Sequence, residues 1–256
     1  MTSVVRPVTD GRVIRWDELP GPEVGARSGS VALLPVGATE QHGPHLPTGT
    51  DTIIATWLCG RASMATGAIV LPAVPVGCSY GHGREMPGTL SLTPELLADT
   101  VHTQILWAYQ TTGIRRFLVI NAHIGNAASL SVATDHLRLE HPELQVGVHD
   151  WARMTEPLWS DLVSDGDDWH ANRGETAVML AIAPDLVRTD LMVDADDEDR
   201  TRGLVFRYTA RSLSRNGVTG KPSEATPELG RKLVDEAVEA LVALVERART
   251  EEPPLS

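Results

Sequence analysis

Short runs rich in Val, Ile and Leu, of which Val31 to Val36 (VALLPV) is the most complete, alternate along this chain with amphipathic segments of helical length. A continuous apolar run of strand length suits a strand buried on both faces, and strands interleaved with helices build βα units around a mainly parallel sheet. The expected fold class is therefore α/β. Residues 52–63 read as the helix after the first strand, and residues 69–76 as extended, with Pro72 and Pro75 putting that segment near a sheet edge or bending it out of the ladder. Thr93-Pro94 supplies a capping hydroxyl and a proline at the first helical position, so a helix runs from there to Thr112, where Gly113 stops it. Residues 117–120 follow as strand, Asn126 caps a helix through Glu140 that His141-Pro142 ends, and residues 144–149 return as strand. Residues 174–182 and 226–249 are helical, and residues 251–256 form a frayed tail.

At 256 residues, 42% of them hydrophobic, the chain is long enough to bury a core without disulfides or a structural metal. It reads as one domain with its core at about residues 28–248. The 22 Lys and Arg against 34 Asp and Glu give a net charge of −12, which repels phosphate backbones and anionic membranes; no basic stripe offsets it, so no nucleic-acid partner is expected. Cys59 and Cys78 are too few for a disulfide framework and read as free thiols. The opening stretch carries no apolar h-region and no long apolar run occurs, so neither a secretion signal nor a membrane span is expected, and the protein is placed in the cytoplasm.

Ligands of open α/β sheets bind beyond the carboxyl ends of the strands. After Val36 come Glu40, His42 and, at a helix start, Asp51; in extended chain the first two side chains point the same way, and Asp51 could bridge two ions from the helix. After the strand 117–120 comes Asn121-Ala122-His123-Ile124-Gly125-Asn126, whose His123 faces the same crevice if the two strands are neighbours. Further on, His170 lies in a loop and Glu175 in the first turn of a helix. Glu40, His42, Asp51, His123 and Glu175 form a mixed nitrogen and oxygen donor set that suits Zn²⁺ or Mn²⁺, and a two-metal centre is plausible. Gly77-Cys78-Ser79-Tyr80-Gly81 matches the G-x-S-x-G nucleophile elbow, but two glycines and a proline follow where the elbow requires a helix. Ser79, Tyr80 and Trp169 remain candidates for substrate contact, and Trp151, Trp159 and Trp169 could wall a small planar substrate.

The stretch Leu34-Pro35-Val36-Gly37-Ala38-Thr39-Glu40-Gln41-His42-Gly43-Pro44-His45-Leu46-Pro47 with Asp51 resembles the signature of the creatininase family of metal-dependent amidohydrolases. The resemblance continues through Pro87-Gly88-Thr89, the 121–126 motif, His170-Ala171 and Glu175-Thr176. It implies a three-layer α/β/α fold, a homo-oligomer (commonly a hexamer), and a two-metal centre that hydrolyses amide-type C–N bonds. It further implies that Glu40, His42, Asp51 and His123 are ligands, that Asp51 is the bridging carboxylate, and that His170 is the catalytic histidine. Creatininase itself has a glutamate where this chain has Gly125, so creatinine is in doubt as the substrate and Glu175 is the candidate for the remaining ligand. Asn172 and Arg173 also depart from the commoner form, pointing to altered substrate choice near that loop. The implied chemistry is attack of a metal-activated hydroxide on the carbonyl of a small, possibly cyclic, amide, with His170 delivering a proton to the leaving nitrogen. Trimming of a precursor peptide, as in the mycofactocin-type relative, and formamide hydrolysis are the alternatives within the fold. A serine esterase using Ser79 and a non-catalytic binding protein are the alternatives outside it.

Overall fold

The computed structural model describes residues 11–166 and 168–255, so most of the amino-terminal stretch read for a secretion signal lies outside the described residues. Five parallel strands form one sheet in the order β1-β3-β2-β4-β5. They are β1 (Ile14–Arg15), β2 (Val31–Val36), β3 (Ile69–Val70), β4 (Arg116–Asn121) and β5 (Gln145–Asp150). Helices α1 (Gly21–Gly25), α2 (Thr50–Thr66), α3 (Pro94–Thr112), α4 (Ala127–Glu140), α5 (Glu156–Leu162), α6 (Arg173–Ile182), α7 (Ala210–Leu213) and α8 (Pro227–Ala248) complete the chain.

Alternation along β2 and β4 explains the layers. Val31, Leu33, Leu118 and Ile120 pack under α2, α6 and α8, while Ala32, Leu34, Phe117 and Val119 pack under α3 and α4. Every residue of β2 is buried, which is why its sequence is an unbroken apolar run. The result is a three-layer α/β/α fold. Thr93 and Thr226 cap α3 and α8 by accepting from Leu96 N and Leu229 N, each at 3.2 Å, and Gly113 ends α3 in the left-handed conformation at φ 75°. Among the described residues no helix is long and apolar enough to cross a membrane.

One expectation is met and two change. As Pro72 and Pro75 imply, the segment 69–76 lies near the sheet edge and leaves the ladder, keeping two ladder residues; it is second from the edge because the unforeseen β1 pairs with its outer side. After Leu71, whose N–H donates to Leu33 O at 2.9 Å, the chain leaves the ladder at the prolines and returns to β2 at the Val36–Val74 bridge. Asn126 does not cap α4; its side chain instead accepts from Cys78 N at 2.8 Å and donates to Gly37 O at 3.0 Å, tying together the loops after β2, β3 and β4. The tail is less free than expected, since Glu252 pairs with Arg116 at 3.1 Å and Glu251 O accepts from Gln145.

β2 and β4 are direct neighbours, in register from Val31 opposite Arg116 to Val36 opposite Asn121. Their carboxyl ends are therefore level, and the loops carrying Glu40, His42 and His123 start side by side.

Candidate metal centre

Glu40, His42 and Asp51 are each no more than 2% exposed and Glu175 is 3% exposed; Glu40 and Asp51 lie beside His123, and Asp51 and Glu175 beside His42. Two backbone carbonyls fix the candidate ligand nitrogens. His42 donates Nδ1–H to the Glu40 carbonyl at 3.1 Å, which leaves Nε2 free toward the centre; His123 donates Nε2–H to Cys78 O at 3.2 Å, which leaves Nδ1 free. His42 Nε2 is 3.2 Å from Asp51 Oδ1 and 3.9 Å from Glu175 Oε1, whereas His123 Nδ1 is 3.2 Å from Glu40 Oε1 and 3.5 Å from Asp51 Oδ2. Asp51 thus turns one oxygen to each imidazole. Despite these separations His42 Nε2, Asp51 Oδ2 and Glu40 Oε2 have no aligned hydrogen-bond partner. Buried donor atoms left without aligned partners inside such a cluster suit a divalent cation.

Three overlapping triads, Glu40–His42–Asp51, His42–His170–Glu175 and Glu40–His82–His170, each bring their donor atoms within 4.8 Å of one another. Electrostatics follows from this crowding. Burial disfavours protonated His42, but Asp51, Glu175 and Glu40 outweigh it and raise its pKa to about 10. Burial likewise opposes protonation of His123, and Glu40 and Asp51 raise it to about 9. Burial pushes Glu175 up to about 7 against the pull of His42. For Glu40 burial acts upward, yet His123 and His82 hold its carboxyl well below the usual carboxylate range.

His82 and Gln41 were not singled out in the sequence. His82 Nε2 lies 3.1 Å from Glu40 Oε1, and Gln41 organises it. Gln41 Oε1 accepts from Gly43 N at 3.0 Å, so its Nε2 is the donor; one hydrogen goes to Gly217 O at 3.0 Å and the other to His82 Nδ1 at 3.1 Å. His82 is thereby held with Nε2–H toward Glu40. His170 donates Nε2–H to the Gln41 carbonyl at 2.7 Å and turns Nδ1 to the centre, 3.8 Å from Glu40 Oε1. Burial, with His42 and His82 beside it, holds His170 well below the ordinary histidine range, so it is neutral and Nδ1 carries a lone pair.

The remaining candidates divide. Trp169 and Tyr80 line the cavity above the centre, but Ser79 does not: it is 1% exposed, its Oγ has no partner, and a single 3-10 turn (Tyr80–His82) follows it where an elbow needs a helix. Trp151 and Trp159 do not wall the cavity; they pack edge-on behind Trp169 with ring centroids 6.2 and 6.1 Å away, in the core. Asn172 faces inward too, capping α6 through Glu175 N at 3.0 Å and donating to Leu162 O at 2.6 Å. Between His170 and Asn172, Ala171 adopts φ 49°, a left-handed conformation costly for alanine, and its N–H donates to Glu175 Oε2 at 2.6 Å. At Gly125 a Cβ would collide with the His123 ring and come within 2.5 Å of Cys78 O, so a glutamate cannot stand there while His123 keeps its place.

The fold is that of an α/β/α hydrolase, with a buried carboxylate–imidazole cluster at the carboxyl end of its sheet. The chain belongs to the creatininase family, whose description is creatinine amidohydrolase and which matches residues 17–245. It is 33% identical to the mycofactocin precursor peptide peptidase of Mycobacterium ulcerans over 84% of each chain. It is 30% identical to the creatinine amidohydrolase of Pseudomonas putida over 88% of this chain and 90% of that one. A manganese creatininase structure superimposes with a TM-score of 0.80 at 26% identity, covering 94% of this chain and 100% of the other. A Zn–Zn type mutant creatininase gives 0.79 with the same identity and coverage.

Proposed function

We propose that this protein is a metal-dependent amidohydrolase in which Glu40, His42, Asp51, His123 and Glu175 hold two divalent ions, zinc or manganese, and His170 moves the proton. The observation that carries the reading is that Glu40, His42 and Asp51, all buried, bring donor atoms within 4.8 Å of one another and each keep a side-chain atom with no hydrogen-bond partner. Ions bound there would supply a low-pKa water and polarise an amide carbonyl. Asp51, with one oxygen toward each ligand imidazole, spans the two halves of the set. His170 offers the cavity a neutral Nδ1 that can accept a proton and return it to the leaving nitrogen, which then departs as a neutral amine. Gln41 and the Gln41 carbonyl keep His82 and His170 in the tautomers this requires.

The cavity over the centre has a volume of about 760 Å³, in the upper part of the range for ligand sites and far more than a small cyclic amide fills. Its mouth exposes Tyr80, Ile124, Phe206 and Tyr208. This favours a longer amide or a peptide segment over a compact ring, as does the likeness to the peptidase.

The test is the metal content per chain by elemental analysis, on protein purified without added metal and on an Asp51→Ala control prepared identically. About two equivalents of zinc or manganese, lost in the control, is the expected result. Absence of metal even after reconstitution would refute the mechanism.

A further inference from the structure

Residues 198–214 form a loop clasped at its base and projecting over the centre. Asp197 holds the clasp: it accepts from Ser214 Oγ at 2.9 Å, Arg215 N at 2.7 Å and Arg200 Nη2 at 2.7 Å. Arg200 closes it by donating Nη1–H to Leu213 O at 3.1 Å. The crown of the loop is open to solvent, with Phe206 72% and Tyr208 49% exposed, yet both line the cavity over the metal ligands. The chain has only two Phe and three Tyr; Phe206, Tyr208 and Tyr80, together with Trp169, gather at this one cavity. Between the loop's two aromatic residues comes Arg207, the single Lys or Arg among the described residues that line the cavity.

Arg207 stands out by charge. The cavity's carboxylates are Glu40, Asp51, Glu175 and Asp168, of which the first three belong to the donor cluster. Arg207 pairs with none of them, and has no ion-pair or hydrogen-bond partner among the described residues. In a chain of net charge −12, where acidic partners are in excess, the lone guanidinium of the cavity is left free on a tethered loop, flanked by exposed rings.

We propose that Arg207 is a specificity-determining residue that binds a carboxylate of the substrate, so that the enzyme acts on acidic amides: N-acylamino acids or peptide segments ending in a free carboxyl group. This rests on the amidohydrolase reading and names its substrate class. A guanidinium meets a carboxylate with two parallel N–H donors, giving orientation as well as attraction, and the neighbouring rings cover an apolar or planar group beside it. With the carboxylate anchored at the mouth, the amide of such a substrate reaches inward to the centre.

Binding of N-acetylphenylalanine and of its neutral analogue N-acetylphenylalaninamide, read by tryptophan fluorescence on zinc-loaded protein, separates charge from shape because the two differ only in the carboxylate. Wild type should prefer the acid about tenfold. Arg207→Ala should bind the two about equally, and Arg207→Lys should keep part of the preference. Equal binding by wild type, including no detectable binding of the acid, overturns the proposal. So does a preference that survives in Arg207→Ala, since the metal would then be taking the carboxylate. Zinc content measured on the same samples separates the two readings: loss of discrimination with zinc retained refutes only the role of Arg207, whereas absence of zinc refutes the hydrolase reading.

Discussion

At the scale of single residues, each ligand imidazole has one nitrogen committed to a backbone carbonyl, and this is what makes Gly125 informative. His123 keeps its ring edge against Cys78 O only because position 125 has no side chain. Gly125→Ala should therefore turn the ring and break that hydrogen bond. Zinc affinity, titrated against a competing chelator, should fall about 10- to 100-fold, the usual cost of losing a partner that orients a metal ligand. The overpacking should cost no more than about 1–3 kcal/mol of stability. Unchanged affinity would show that His123 is not held by Cys78 O. Glu40, His42, Asp51, His123 and Glu175 stood out as candidates because each follows a strand or opens a helix on the carboxyl side of the sheet, whereas His170, in a loop, stood out through the resemblance. His82 lies well beyond the end of β3, in a 3-10 turn, where neither a strand end nor a helix start marks it. Gln41 was hidden for another reason: its role lies in which hydrogens its amide gives away, and no spacing reveals that.

At the scale of elements, the closest helix contact pits two effects against each other. Gly230 of α8 lies against Ala177 O of α6, and a Cβ there would collide with that carbonyl and come within 2.9 Å of the Ala181 side chain. Helix propensity alone would make Gly230→Ala stabilising by about 1 kcal/mol. Displacing a packed helix costs about 1–3 kcal/mol, and the obstacle here is backbone, which cannot swing aside. The expected net is a loss of up to about 2 kcal/mol in urea unfolding; a gain would mean that the two helices separate freely. The elements themselves were readable where burial or capping leaves a mark, as in the unbroken apolar run of β2 and the Thr-Pro starts of α3 and α8. β1 left no mark, since a two-residue strand that borrows its order from β3 needs neither periodicity nor an apolar run. Asn126 was read as a cap because asparagine before a helix usually is one; three loops that converge in space, but not in sequence, claim its amide instead.

For the whole molecule, the centre couples stability to pH with a sign that depends on metal. In metal-free protein His42 and His123, raised to about 10 and about 9, bind protons in the fold that the unfolded chain releases near its ordinary value of about 6.5. Their contribution is fully present below that value and is lost as pH rises through the folded values. Glu175, raised to about 7, acts in the same direction, because its neutral form is the one the fold prefers. Glu40 acts oppositely, but its stabilisation is lost only as pH falls below the ordinary carboxylate range. Metal-free protein should therefore lose melting temperature steadily from about pH 6.5 to about 10. Divalent ions bound there as proposed would take the place of those protons, and their binding would strengthen as the competing protons leave. The gap in melting temperature between zinc-loaded and chelator-treated protein should consequently widen as pH rises across that window. A gap that stays constant would mean that the ion displaces no protons from His42 or His123, and so does not bind where their nitrogens converge.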